Sequence, residues 1–279
     1  MGSPIATAPA PDVVIGPDGI PRLSQAYLDE YERFMQTIVT EDDTPLDNLF
    51  SAIQARLLIE SLYASWSHPR FGRRFIANGN VGVFYAFRQP PVVPDVFLSL
   101  DVVLPANLMK KTNRSYFIWE YGKPPDLVVE IVSNAEGGEE RVDDKLGIYA
   151  QMRVGRYVVY DPGQQTGAEL LRVYALSHGQ LVRTEERWFE ELGLGVVLWQ
   201  GVYEGSEETW LRWCDRDGAI IPTGEERAEA ERIRAEAERE RAEAEHARAE
   251  AERIRAEAER ERAERLAAKL RAAGIDPDA

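Results

Sequence analysis

The sequence predicts a mixed α+β domain followed by one long C-terminal helix. Three observations carry that expectation. Stretches with helical spacing open the chain after about residue 24, short β-branched and aromatic runs dominate the middle, and from Glu225 to Ala272 almost every residue is Ala, Glu or Arg. Helices, strands, one further helix and more strands, in that order, are segregated rather than alternating, which favours α+β over a doubly wound fold.

The first 23 residues are rich in Pro, Ala and Gly and read as a flexible arm. A domain over 24–222 follows. SQAYLDEYERFMQTIV sets Tyr27, Tyr31, Phe34, Met35 and Ile38 on one helical face, and AIQARLLIESLYASW does the same with Ile53, Leu57, Leu58 and Leu62. After His68-Pro69 the runs VGVFYAF, VVPDVFLSLDVVL, YFIWEYG and PDLVVEIVS read as strands. EERVDDKLGIYAQM returns to helix and stops before Gly155, RYVVYDP reads as a buried strand, and ELLRVYALSHGQLVRT, GLGVVLWQG and TWLRWCDRDGAII read as antiparallel strands with hairpin glycines at Gly179 and Gly218. The rod over 225–272 repeats in sevens from Ala228 to Arg262, with Glu and Arg spaced three and four apart. Its best seam, from Ala230 and Ile233 to Ile254 and Glu261, is mostly alanine interrupted by glutamate, so a solitary solvated helix and a weak coiled coil both remain open. Leu266 and Leu270 mark a tip that could dock a protein partner, and residues 273–279 form a tail with Gly274 as the helix stop.

Composition sets bounds on function. The 279 residues carry 44% hydrophobic and 9% aromatic side chains, which excludes wholesale disorder. A single cysteine, Cys214, excludes a disulfide scaffold and a thiolate zinc cluster, and a reducing, cytoplasmic setting is expected. No apolar run approaches the ~20 residues of a membrane helix, and the start lacks a signal-peptide pattern, so no membrane role is expected. The net charge is −15. The tail from Glu225 holds 13 basic and 17 acidic residues, which leaves 20 and 31 for residues 1–224 and a charge of −11 there. Such a surface does not coat nucleic acid broadly, but it permits a local basic cleft, for which Arg70, Arg73 and Arg74 beside Phe71 and Phe75 are the compact candidate.

Chemistry is suggested by acidic residues in apolar surroundings. Asp95 follows Pro94 and precedes VFLSL; Asp126 opens LVVEIV; Glu130 lies inside that run, on the same strand face as Asp126 by period two. A carboxylate among Val and Ile costs several kcal/mol unless it is paired or metal-bound, so Glu130 is either an ion-pair partner, an edge residue or a ligand. Lys145 and Tyr149 share one face of the following helix, either solvated or reaching back over the strand end. Histidines 68, 178 and 246 show no metal or triad spacing, and no phosphate-binding glycine loop or nucleophile elbow is present.

Taken together, PDV (94–96), PDLVVEIVS (125–133), DDKLGIY (143–149) and GRYVVYDP (155–162) resemble the Uma-two family of restriction endonuclease-like proteins, assigned to the PD-(D/E)XK nuclease superfamily. The resemblance spans roughly residues 45–200. It implies a central mixed sheet flanked by helices, and a DNA endonuclease that hydrolyses phosphodiester bonds with Mg²⁺ or Mn²⁺. By the same resemblance Asp95, Glu130 and Lys145 are the catalytic set, with Asp95, Glu130 and Asp126 as metal ligands. The E-x-K element is broken, because Val132 stands two residues after Glu130, and Lys145 is the replacement the family implies. Tyr149 and Asp161 also match, and they read as a core residue and a turn residue. The rival expectation is a non-catalytic interaction protein that keeps the fold and uses its helical tail to bind partners. A homodimer, if formed, is expected through the globular part.

Overall fold

A computed structural model describes residues 12–17, 20–37, 48–86, 89–133 and 138–272, with the side chains at 34–37, 138–143 and 270 outside that description. The side chains of Phe34, Met35, Asp143 and Leu270, together with Ile38, Gly274 and residues 1–11 of the arm, therefore lie outside the described residues. The chain divides into two compact units, 1–224 and 225–279.

The first unit opens with an antiparallel pair, β1 (Val13–Ile15) and β2 (Pro21–Leu23). Helix α1 (Gln25–Thr37) starts at Ser24, whose hydroxyl accepts from the Tyr27 N–H at 3.1 Å. Helix α2 (Leu49–Ser65) is capped by Asn48, which accepts from Ser51 N–H at 3.0 Å, and it buries Leu57, Leu58 and Leu62 completely. Then come β3 (Phe75–Asn78), β4 (Val83–Phe84), β5 (Val96–Leu100), β6 (Tyr116–Phe117), the single helical turn α3 (Ile118–Tyr121) and β7 (Leu127–Ile131). Helix α4 (Gly138–Met152) leads to β8 (Arg156–Tyr160), β9 (Leu171–Ser177), β10 (Gln180–Thr184), β11 (Trp188–Phe189), β12 (Leu194–Tyr203) and β13 (Ser206–Cys214).

Six strands form the central sheet in the order β10-β9-β8-β7-β5-β3. It is mixed: β7 and β8 run parallel and the other neighbours antiparallel. Period two divides β7 between the faces. Leu127, Val129 and Ile131 join the core shared with α2 and the β11-β12-β13 sheet, and Val128 joins the core on the α4 side, with Tyr149, Met152 and Tyr157. Trp210 and Trp213 are buried in the three-stranded layer, where Trp213 Nε1–H donates to the Leu58 carbonyl at 2.8 Å and ties that sheet to α2.

One local expectation needed correction. YFIWEYG is not one strand, because after Phe117 the chain turns helically and closes at Gly122 with φ +73°. Trp119 there donates to the Tyr31 hydroxyl at 2.8 Å and Glu120 accepts from it at 2.7 Å, tertiary bonds that override strand propensity. Gly179 and Gly218 turn hairpins as read, Gly218 between Cys214 and Ile220, which pair antiparallel; the long β12–β13 hairpin turns at Glu204-Gly205, also at positive φ.

The second unit is carried by α5 (Gly224–Ala272), 49 residues and about 73 Å long at ~1.5 Å per residue. Arg232 bridges Glu229 at 2.7 Å and Glu236 at 3.5 Å, and Arg253 meets Glu250 at 2.7 Å. Ile233 and Ile254 are more than half exposed. Among the described residues no helix is long and apolar enough to cross a membrane.

Candidate active site

The sheet brings two of the predicted carboxylates to one place. Antiparallel pairing matches Val96 with Val129 and Phe97 with Val128, and the next step in that register sets Asp95 opposite Glu130. Directly opposed residues share a sheet face, with Cβ atoms about 4.5–5.5 Å apart. Both side chains are over 90% buried. Asp95 Oδ2 accepts from the Ile131 N–H at 2.6 Å, which fixes its carboxylate across the strand gap.

Helix α4 supplies the next contacts. Lys145 Nζ donates to Glu130 Oε2 at 2.6 Å and the Tyr149 hydroxyl donates to Oε1 at 2.5 Å, so residues four apart on one helix face meet the two oxygens of one carboxylate. Lys145 keeps about a quarter of its side chain in water, at the mouth of the cluster. Tyr149 is fully buried, and its phenol is pushed well above its usual range by burial first and then by the Glu130 charge. Tyr157 behaves likewise, and its buried hydroxyl has no hydrogen-bond partner among the described residues.

Asp126 stands elsewhere. It precedes β7 while Glu130 lies near the strand's far end, and four residues at ~3.3 Å each separate them by about 13 Å. Its Oδ2 accepts from Lys123 Nζ at 2.5 Å and from the Leu100 N–H at 2.7 Å, which pins the opposite end of the β5–β7 pair. The alternation that puts Asp126 and Glu130 on one face is real, but a shared face is not a shared position. The Arg70, Arg73 and Arg74 patch is also at that remote end: β3 pairs Phe75 with Leu100, Arg74 meets Asp101 at 3.0 Å, and Arg73 donates to the Tyr63 and Trp66 carbonyls. Asp161 organises its own turn, accepting from Gln165 N–H and from Thr166 N–H and hydroxyl at 2.7–2.8 Å.

Gly79 escaped the sequence reading. A Cβ there would lie 2.2 Å from the Asp95 carbonyl oxygen, and the neighbouring Asn80 N–H donates to the Pro94 carbonyl at 3.0 Å. The turn after β3 thus presses on the Pro94-Asp95 backbone, at a place only glycine fits. Its signal was the Asn-Gly-Asn triplet at the end of an apolar run.

The family model described as Uma2, putative restriction endonuclease, matches residues 30–198. The chain belongs to the Uma2 family. The match includes Asp95, Glu130, Lys145 and Tyr149 and stops short of α5. No curated protein matches the sequence. Membership in Uma2 supports a nuclease in general, a class in which divalent metals are in general use. The donor set fits an ion of that kind. Among the described residues no group of three or more His, Cys, Asp or Glu side chains could hold a metal, and Mg²⁺ commonly makes do with one or two carboxylates, completing its shell with water and substrate phosphate.

Proposed function

We propose that this Uma2 protein is a metal-dependent DNA endonuclease that hydrolyses phosphodiester bonds, with Asp95 and Glu130 as ligands of Mg²⁺ or Mn²⁺ and Lys145 as the lysine that E-x-K lacks. The observation that carries the reading is Lys145 Nζ at 2.6 Å from Glu130 Oε2, on a carboxylate that the β5–β7 register sets opposite Asp95. A bound divalent ion would acidify water and offset negative charge on the scissile phosphate. In this reading Asp95 and Glu130 bind through oxygen donors that a hard cation prefers, and their strand positions hold them before any substrate arrives. The Lys145 ammonium, at the wet edge of the cluster, orients the attacking water or meets the charge that develops on the phosphate. The interaction-protein alternative drew on the missing E-x-K lysine, and a lysine within hydrogen-bond reach of Glu130 weakens that support.

Plasmid cleavage with Mg²⁺ or Mn²⁺ tests the proposal. The native chain should cut, Glu130→Ala should be inactive, and Lys145→Ala should be slowed about a hundredfold, the usual effect of losing one charge-stabilising donor. Native rates in Glu130→Ala would overturn it.

A further inference from the structure

Glu130 has two anchors of different character. Lys145 is a long side chain with a quarter of its surface in water, so its ammonium can follow a carboxylate that rotates. Tyr149 cannot. Its ring is fully buried, rests on Tyr157 with centroids 5.0 Å apart, and Tyr157 in turn rests on Tyr174 at 5.7 Å. The last turn of α4 is closed beneath it, with the Val154 N–H donating to the Tyr149 carbonyl at 3.0 Å. The hydroxyl at the top of this aromatic column meets Glu130 Oε1 at 2.5 Å. A glutamate's terminal torsion is broad, so a carboxylate without a fixed donor samples many planes. One immobile O–H on Oε1 selects a single plane and occupies one lone pair there, leaving the remaining lone pairs for Lys145 and a cation.

We propose that Tyr149 is a positioning residue that fixes the plane of the Glu130 carboxylate and thereby sets the affinity of the Asp95/Glu130 pair for a divalent cation. The inference rests on the metal-site reading above, and its test separates the two. Groups that orient a metal ligand in this way typically contribute 10–100-fold to metal affinity when removed by mutation.

The experiment is calorimetric titration of the full chain with Mn²⁺, with electron paramagnetic resonance of the bound ion. Tyr149→Phe keeps the ring and its packing and removes only the hydroxyl, so Mn²⁺ should bind about tenfold or more weakly with an altered resonance spectrum. Lys145→Met removes a competing positive charge and should bind Mn²⁺ as tightly as the native chain or tighter. Weakened binding in Tyr149→Phe without weakening in Lys145→Met distinguishes positioning from a loosened fold, which would weaken both. Asp95→Asn should lose Mn²⁺ binding. If Asp95→Asn loses it while Tyr149→Phe binds within twofold of native, or if Tyr149→Phe and Lys145→Met weaken alike, the positioning role is overturned and the metal site stands. If Asp95→Asn binds like native, the metal site falls and the role of Tyr149 with it.

Discussion

Replacing Asp95 by Asn should separate stability from metal binding. The amide carbonyl of Asn can still accept from the Ile131 N–H, so the 2.6 Å bond that holds the side chain in place is retained. What disappears is one of two negative charges at opposed strand positions, more than nine-tenths buried. Like charges directly opposite in a sheet are destabilising, here taken as comparable in size to the roughly 0.2–1 kcal/mol that a favourable cross-strand pair contributes, and Lys145 already offsets part of that through Glu130. In EDTA the variant should therefore match the native chain or gain up to about 1 kcal/mol, which for the unit spanning residues 1–224 is a rise of about 2–4 °C in melting temperature. With Mn²⁺ at about a hundred times its dissociation constant the native chain should gain about 2.7 kcal/mol, or roughly 5–10 °C, by mass action. Asp95→Asn should gain almost nothing. Thermal melts of both chains with EDTA and with Mn²⁺ provide all four values. An equal metal-induced rise in the two chains would refute the reasoning, as would a loss in EDTA of more than about 2 kcal/mol, the range expected for breaking a buried polar contact.

Gly79→Ala should displace the Asp95 backbone by about 1 Å, since its Cβ would sit 2.2 Å from that carbonyl oxygen; cleavage should fall about a hundredfold and stability by about 1–3 kcal/mol, measured by plasmid assay and urea melts. Asp126→Asn should leave cleavage unchanged and cost about 0.5–1 kcal/mol, because its partners Lys123 and Leu100 lie at the other end of the strand pair. Cys214, buried and with its thiol pushed up by burial and by Asp215, should resist alkylation in the native chain and react on unfolding, as mass spectrometry will show. The peptide 225–279 should sediment as a helical monomer at micromolar concentration, since Ile233 and Ile254 share an otherwise mostly alanine seam with Glu240 and Glu261; a dimer mass would show that the alanine seam pairs.

The strands and helices that position the cluster were legible because their signals are local. The apolar runs of β5, β7 and β8 each have one period and one length, and the longer polar run EERVDDKLGIYAQM, stopped before Gly155, reads as a helix that sets Lys145 and Tyr149 on one face. What joins Asp95 to Glu130 is the β5–β7 register, a pairing across more than thirty residues that no local pattern states. The same limit applies to Asp126: period two gives its strand face but not its depth along the sheet. The apolar helix face marks Tyr149 as core, and it is buried; that its hydroxyl meets Glu130 depends on how α4 packs over β7, which no local pattern states. Gly79 was missed because its constraint is a neighbouring backbone, not its own turn.

The rate of phosphodiester cleavage against Mn²⁺ concentration, for the native chain and Asp95→Asn on the same supercoiled plasmid, tests the central claim most directly. The native rate should rise to saturation with Mn²⁺ and vanish in EDTA, while Asp95→Asn stays at background throughout. Cleavage by Asp95→Asn with the native metal dependence, or native cleavage that persists in EDTA, would contradict it.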